Sequence, residues 1–132
     1  MILLDTHVML WLRLGDARLG AGARSAIDRA WQSDEVCVSA VSFWEAALLK
    51  AKQRIQFPED VGLWRREQLE QGVVEIPMNG VIGIRAATLP EFHADPADRL
   101  IVATALEGHR LVTADRRILE WSGQVSRLNA TQ

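Results

Sequence analysis

The sequence predicts a three-layer α/β/α sandwich around a central, mainly parallel sheet of four to five strands. Three observations carry this reading. Short apolar runs such as Ile2-Leu-Leu4, Val36-Cys-Val38 and Leu111-Val112 recur along the chain, with the length and composition of buried strands. Between them lie segments whose apolar residues fall three and four apart, the spacing of one helical face. Strands therefore alternate with helices, and parallel strands joined through helices end up covered on both sheet faces.

Taken in order, Met1–Asp5 reads as a short buried strand. His7–Leu14 follows as a helix with Val8, Trp11 and Leu12 at helical spacing. Gly15 to Gly22 is a loop with three glycines. Ala23–Gln32 is a helix with Ala26, Ile27, Ala30 and Trp31 on one face, and Glu35–Ser39 is the second strand. Ser42–Gln53 is a helix in which Phe43, Ala46, Ala47 and Lys50 recur at intervals of three and four. Arg54–Pro58 breaks it, and Glu59–Glu70 forms the next helix, carrying Leu63, Trp64 and Leu69. Val73–Ile76 is the third strand, stopped by Pro77. Gly80–Leu89 is a weaker helix, diluted by Gly83. Asp95–Glu107 has the clearest signals: Asp95 as N-cap, Pro96 at the first position, and Gly108 closing the end. Leu111–Thr113 is the fourth strand, Arg116–Trp121 a short helical turn and Val125–Leu128 an edge strand. No repeat, low-complexity tract or linker interrupts residues 1–132, which are expected to form a single domain.

The bulk numbers narrow the function classes. A chain of 132 residues that is 48% hydrophobic and 24% charged falls in the globular range and can bury a core. A net charge of −2 is not the strongly basic footprint common among nucleic-acid binders. The positive charge is nearly all arginine, however, with Lys50 and Lys52 the only lysines. Arginine grips phosphate with two parallel hydrogen bonds. A GC-rich genome would produce the same bias. The single cysteine, Cys37, excludes an intrachain disulfide framework and a cysteine-based zinc site, and between Val36 and Val38 it reads as a small buried residue. No stretch reaches the ~18 apolar residues of a membrane span. Ile2–Leu4 is too short for a leader's apolar core. The expectation is a soluble, cytoplasmic protein.

Four separated acids stand out. Asp5 ends the first apolar run and Asp115 the run Leu111-Val-Thr-Ala, while Glu45 and Asp98 lie in the first turns of two predicted helices. Singly, each has a capping explanation. Asp5 and Asp115 can cap the helices that follow them, Ser42-Phe-Trp-Glu45 has capping-box spacing, and Asp98 sits where the helix dipole favours an acid. Jointly they say more, because strand ends and helix starts share one edge of a parallel sheet, where ligands bind. Carboxylates that converge repel unless a cation lies among them, which points to a hard divalent metal. Oxygen ligands suit Mg²⁺ or Mn²⁺ and disfavour zinc. His7 and His93 are too far apart in sequence for zinc-type spacing. His93, just before the third acid, reads either as a neighbour of substrate or as an ordinary loop residue, and His109 as a surface residue. Trp11, Trp31 and Trp64 fall in apolar stripes and are expected in the core. Trp44 adjoins Glu45 and is placed to wall a pocket. Gly20-Ala-Gly22 lacks the following Gly-Lys-Ser/Thr of a phosphate loop.

Four segments, in order, resemble the acidic motifs of PIN domains. They are Asp5-Thr6-His7 after an apolar strand, Ser39-Ala-Val-Ser42-Phe-Trp-Glu45, the run Leu89 to Ala105 containing His93-Ala-Asp95-Pro-Ala-Asp98-Arg99, and Leu111-Val-Thr113-Ala-Asp115. The resemblance spans nearly the whole chain and is strongest to the VapC toxins of bacterial type II toxin–antitoxin pairs. It implies metal ligands at Asp5, Glu45, Asp98 and Asp115, with Thr113 completing the catalytic set by supporting the site through hydrogen bonds. Thr6 is a lesser candidate of the same kind. Asp95 reads as the cap of the helix carrying Asp98, the alternative being a water-mediated contact to a second metal. Arg99 and Arg116 are candidates for touching phosphate or the Asp98/Asp115 pair, surface ion pairs being the ordinary reading. The resemblance further implies a Mg²⁺- or Mn²⁺-dependent endoribonuclease leaving 5′-phosphate and 3′-hydroxyl ends. It also implies an RNA substrate, a homodimer and a cognate antitoxin, whose contact surface could draw on Trp11, Leu12, Trp44 and Leu48. The alternatives are a receiver-like Mg²⁺-binding signalling module, which the absence of a lysine after the fourth strand disfavours, and an inactive PIN domain that only binds RNA or protein.

Overall fold

The computed structural model describes residues 1–57 and 60–132. Among them five strands form one sheet: β1 (Ile2–Leu4), β2 (Val36–Ser39), β3 (Val74–Ile76), β4 (Arg110–Thr113) and β5 (Arg127–Asn129), in the spatial order β3-β2-β1-β4-β5. All pairings are parallel, and Leu3 lies level with Cys37 on one side and Leu111 on the other. Seven helices among the described residues surround the sheet: α1 (Thr6–Leu14), α2 (Ala21–Gln32), α3 (Ala40–Ala51), α4 (Val61–Glu70), α5 (Gly80–Ala87), α6 (Pro96–Ala105) and α7 (Arg116–Leu119). The expected α/β/α sandwich forms. The loop end at Pro58 and the helix start at Glu59, both read from the sequence, lie outside the described residues.

The two-residue period of a strand divides the core. Leu4, Val38 and Val112 face one side and pack with Val8 and Met9 of α1, Ile27 of α2, Phe43 of α3 and Trp64 of α4. Leu3, Cys37 and Leu111 face the other, against Ile101, Val102 and Ala105 of α6, Ile118 of α7, and Phe92 and Trp121. Burial pushes the Cys37 thiol up to about 11, so it is not a reactive thiolate. No helix among the described residues is long and apolar enough to cross a membrane.

Several element boundaries differ from the sequence reading, each for a local reason. Helix α3 begins at Ala40, because the hydroxyl of Ser39, the last residue of β2, caps it by accepting from Val41 N at 3.1 Å. Ser42–Glu45 is therefore not a capping box, and Glu45 falls in the second turn. Helix α2 starts at Ala21, two residues early. Gly20 and Gly22 donate their N–H groups to Ala130 O and Gln132 O at 2.8 Å each. A Cβ at Gly20 would stand 2.5 Å from the Gln132 main chain and one at Gly22 2.8 Å, so these two glycines at the start of α2 admit the C-terminal segment. Helix α5 stops at Ala87, α6 at Ala105 and α7 at Leu119, while β5 begins two residues late, at Arg127.

Strand order places the functional edge. The chain leaves central β1 for β2 and β3, then crosses back to add β4 and β5 on the far side. Connections after β1 and β4 thus diverge, which opens a crevice at their carboxyl ends. Asp5 and Asp115 follow those two ends.

The tryptophans separate by environment. Trp64 is 1% exposed and meets Phe43 and Phe57 edge-on, with centroids 5.5 and 5.0 Å away. Trp11 is buried as expected. Trp31 is only half-buried and donates to Gln71 O at 3.1 Å. Trp44 is 55% exposed. Trp64→Ala is expected to lose about 3–5 kcal/mol in urea unfolding, and Trp44→Ala to stay within ~0.5 kcal/mol of the parent.

Candidate functional site

Asp5 leaves β1 in extended backbone and caps α1. It is 3% exposed, yet both carboxylate oxygens are held: Oδ1 accepts from Thr6 N at 2.8 Å and Oδ2 from the Thr113 hydroxyl at 2.7 Å. Thr113, the last residue of β4, is fully buried, and its Oγ1 also accepts from Asp115 N at 3.1 Å. One hydroxyl thus ties the first and fourth acidic segments together. Asp115 caps α7, accepting from Arg117 N at 2.8 Å.

Glu45 reaches the same edge from α3. The Thr6 hydroxyl donates to Glu45 Oε1 at 2.5 Å and lies 2.9 Å from the buried Ser42 Oγ. Asp98 comes from the first turn of α6, capped by Asp95, whose Oδ1 accepts from Asp98 N at 3.0 Å. Asp98 Oδ2 lies 2.7 Å from His93 Nε2 and 3.4 Å from Arg117 Nη2, and the same Arg117 nitrogen is 3.3 Å from Asp115 Oδ2. Ligand atoms of His93, Asp98 and Asp115 all lie within 4.8 Å of one another.

Electrostatics link these groups into one site. Burial pushes Glu45 up from 4.5 to about 7; the Thr6 hydrogen bond opposes this, and the charges of Asp5, Asp98 and Asp95 reinforce it. Burial likewise raises Asp98, against the His93 contact and with the help of Asp5, Asp95 and Asp115. At Asp115 burial is outweighed by hydrogen bonds from Arg117, which hold the carboxyl below its usual range. A half-buried group of acids that repel one another, partly offset by one guanidinium and one imidazole, fits a hard divalent cation. Carboxylate oxygens predominate in the donor set and a single imidazole nitrogen stands beside them, a combination that Mg²⁺ or Mn²⁺ accepts.

Asp5, Glu45, Asp98, Asp115, Thr113 and Thr6 all lie along this edge, but among the described residues only Asp98 and Asp115, with His93, stand at ligand distance from one another; Asp5 is tied to Thr113 and Glu45 to Thr6. Asp95 serves as the α6 cap. Arg99 is taken up by the backbone: its guanidinium donates to the carbonyls of Ala86, Phe92 and His93 at 2.7–2.9 Å and holds the loop before α6. Arg116 pairs with Glu120 at 3.0 Å on the surface. The arginine that bridges Asp98 and Asp115 is Arg117, which the sequence reading passed over. The only signal for it was its place two residues after Asp115 in a helix of four residues. Two further residues were missed, Ser42 and His7, whose Nε2 accepts from Ala114 N at 2.9 Å and braces the turn before Asp115. His109 is half-buried rather than on the surface.

The raised acids carry a pH signature. Below the ordinary glutamate pKa both folded and unfolded chains hold the Glu45 proton. Between 4.5 and about 7 only the folded chain does, so stability falls as pH rises through that window. One pKa unit corresponds to about 1.4 kcal/mol, and the opening of the site to solvent reduces the effect to about 1–2 kcal/mol in all. In EDTA, Glu45→Gln is expected to melt higher than the parent at pH 8 and level with it at pH 4. Equal melting points at pH 8 would refute the buried, repelled carboxylate.

Residues 2–123 match the PIN domain family. Over 119 residues the chain is 43% identical to ribonuclease VapC22 of Mycobacterium tuberculosis, covering 89% of this chain and 88% of that protein. The fold is shared, at 20% identity in each case, with a toxin–antitoxin complex from Klebsiella pneumoniae (TM-score 0.67) and with FitAcB from Neisseria gonorrhoeae (TM-score 0.60), each alignment covering 98% of both chains. With the family match running from β1 to the loop beyond α7, this chain belongs to the PIN domain family.

Proposed function

We propose that this chain is an endoribonuclease of the VapC toxin type that cleaves RNA phosphodiester bonds with a bound Mg²⁺ or Mn²⁺. The observation that carries the reading is the row of mutually repelling acids Asp5, Glu45, Asp98 and Asp115 along the carboxyl edge of a PIN domain sheet, with Asp98 and Asp115 at ligand distance beside His93. The 43% identity to a protein named as a ribonuclease supports it. We assign metal binding to those four acids, a positioning role to Thr113, and a single domain to residues 1–132. Family membership removes the receiver-like alternative, and the presence of all four acids removes the ground for an inactive scaffold.

When bound, the ion would supply charge neutralisation and Lewis-acid polarisation of the phosphate. The chain's own residues prepare the place. Thr113 and the Thr6 N–H hold both oxygens of Asp5, so its carboxylate does not rotate away. His93 fixes the rotamer of Asp98 through their 2.7 Å contact. Arg117, whose side chain is 60% exposed, lies across Asp98 and Asp115 and can form a charge-assisted hydrogen bond to an incoming phosphate. His7 keeps the Asp115 turn against α1.

The partners follow from the same reading. A cognate antitoxin would inhibit the enzyme by sending a basic side chain toward the acids, a contact the negative site favours. Trp11 is too buried to contribute to the apolar surface such a partner needs: it is 8% exposed and lies under the Arg18 guanidinium. Leu12 is half-buried, and Trp44 and Leu48 border the acids themselves. A homodimer would cover Met78, Val81 and Ile84, which are 50, 61 and 71% exposed at and before α5. The proposed location is the cytoplasm.

Asp5→Asn and Asp98→Asn are each expected to lower Mg²⁺-dependent cleavage of single-stranded RNA at least a hundredfold, a loss of about 2.7 kcal/mol in transition-state stabilisation. Calorimetric titration with Mn²⁺ should show a site in the parent and a weakened one in both variants. Undiminished cleavage in either variant would reject the assignment.

A further inference from the structure

The exposed tryptophan beside the acids is not explained by the fold. Trp44 precedes Glu45 on α3 and is 55% exposed, while the other four tryptophans are buried or half-buried. It does not stand on a flat surface. Trp44, Leu48, Lys52 and Arg54 form one wall of a crevice of about 350 Å³, and Asp95 and Pro96 at the start of α6 form the other. Glu45 lines it as well, so the crevice opens onto the site between the two helices that carry Glu45 and Asp98.

The charges in the crevice are segregated. Lys52 and Arg54 lie at the end of α3, both exposed, and among the described residues neither pairs with a carboxylate. Arg18, Arg65, Arg116 and Arg117 differ in this respect, since each sits on an acid. The opposite end holds Glu45 and Asp95. An anionic chain entering the crevice is drawn to the Lys52/Arg54 side, and only a phosphate that meets a cation among the acids approaches the other end. Whatever lies between must be uncharged and flat enough to meet an indole face. A nucleotide has that form, with phosphate on one side and an apolar-faced ring on the other, and base–aromatic stacking with basic residues along the backbone is how single strands are held. The volume falls at the small end of ligand sites, about 300–1,000 Å³, which suits one nucleotide better than a helical peptide.

We propose that this crevice is a nucleotide subsite, in which a base flanking the scissile phosphate stacks on Trp44 while neighbouring phosphates meet Lys52 and Arg54. The inference rests on the ribonuclease reading above and assigns single-stranded RNA as the form of substrate. Trp44 acts here as a positioning residue: it touches a flanking base and holds the strand so that its phosphate reaches the acids.

The test uses the full-length chain with Ca²⁺ in place of Mg²⁺ and fluorescein-labelled ten-nucleotide oligo(U) and oligo(A) in anisotropy titrations. Trp44→Ala is expected to weaken binding about tenfold or more, and Trp44→Phe, which keeps a stacking face, to recover most of it. The double variant Lys52→Ala/Arg54→Ala should reduce the slope of log K against log salt by about 1.4, the value for two phosphate contacts on a single strand. In cleavage assays with Mg²⁺, Trp44→Ala should raise KM about tenfold and leave kcat within about twofold. Unchanged affinity and KM in Trp44→Ala would overturn the subsite and leave the ribonuclease reading standing. Binding that depends on Trp44 in a chain that cleaves no RNA would do the reverse. A parent that binds neither oligonucleotide overturns the subsite. So does a Trp44→Ala chain that keeps full RNA affinity but loses its co-expressed antitoxin, since the tryptophan would then belong to a protein contact.

Discussion

The hydroxyl of Thr113 joins the two strand ends between which the acidic crevice opens. It donates to Asp5 at the end of β1 and accepts from the backbone N–H of Asp115 beyond β4. The contact is fully buried and spans residues far apart in sequence. It forms only once β1 and β4 are paired in parallel with Leu4 level with Val112. A slip of one residue in that pairing would turn the Thr113 side chain to the opposite face of the sheet and separate the pair. Site geometry and sheet register are therefore one constraint.

The same edge concentrates cost. Glu45 and Asp98 are raised by burial and by neighbouring acids, so the fold holds charges there that it would be more stable without. The surrounding hydrogen bonds reduce this cost without removing it. Thr6 serves Glu45, Asp95 caps the helix of Asp98, and Arg117 lies across Asp98 and Asp115. An edge that is unfavourable alone and favourable with a cation binds such an ion well, since ligand binding adds to the stability of the folded state alone.

Much of this was legible beforehand, for identifiable reasons. Strands betrayed themselves by short apolar runs, and α6 by Asp95, Pro96 and its apolar stripe, because those signals are local and the tertiary structure agreed with them. Asp5 and Asp115 were legible as strand-end acids for the same reason. Less legible was the start of α3: Ser39 and Ser42 are both good caps, and the choice between them followed from where β2 stops pairing with β1 and β3. That choice moved Glu45 from a first turn to a second and set it against Thr6. The tryptophans show the same limit. Trp11 and Trp31 each fall in an apolar helical stripe, and only packing buried the first and left the second half-exposed.

Residue order alone carried the fold class, the parallel sheet and the identities of the separated acids, since each depends on patterns a few residues long. Tertiary structure alone decided which cations reach those acids. Arg99 and Arg116, adjacent in sequence to Asp98 and Asp115, turned to backbone carbonyls and to Glu120, while Arg117 bridged the two carboxylates. A helix places successive side chains about 100° apart. Which of three neighbouring residues faces the crevice therefore depends on the angle at which α6 and α7 leave the sheet, and that angle is set by packing against Leu3, Cys37 and Leu111 on the buried face.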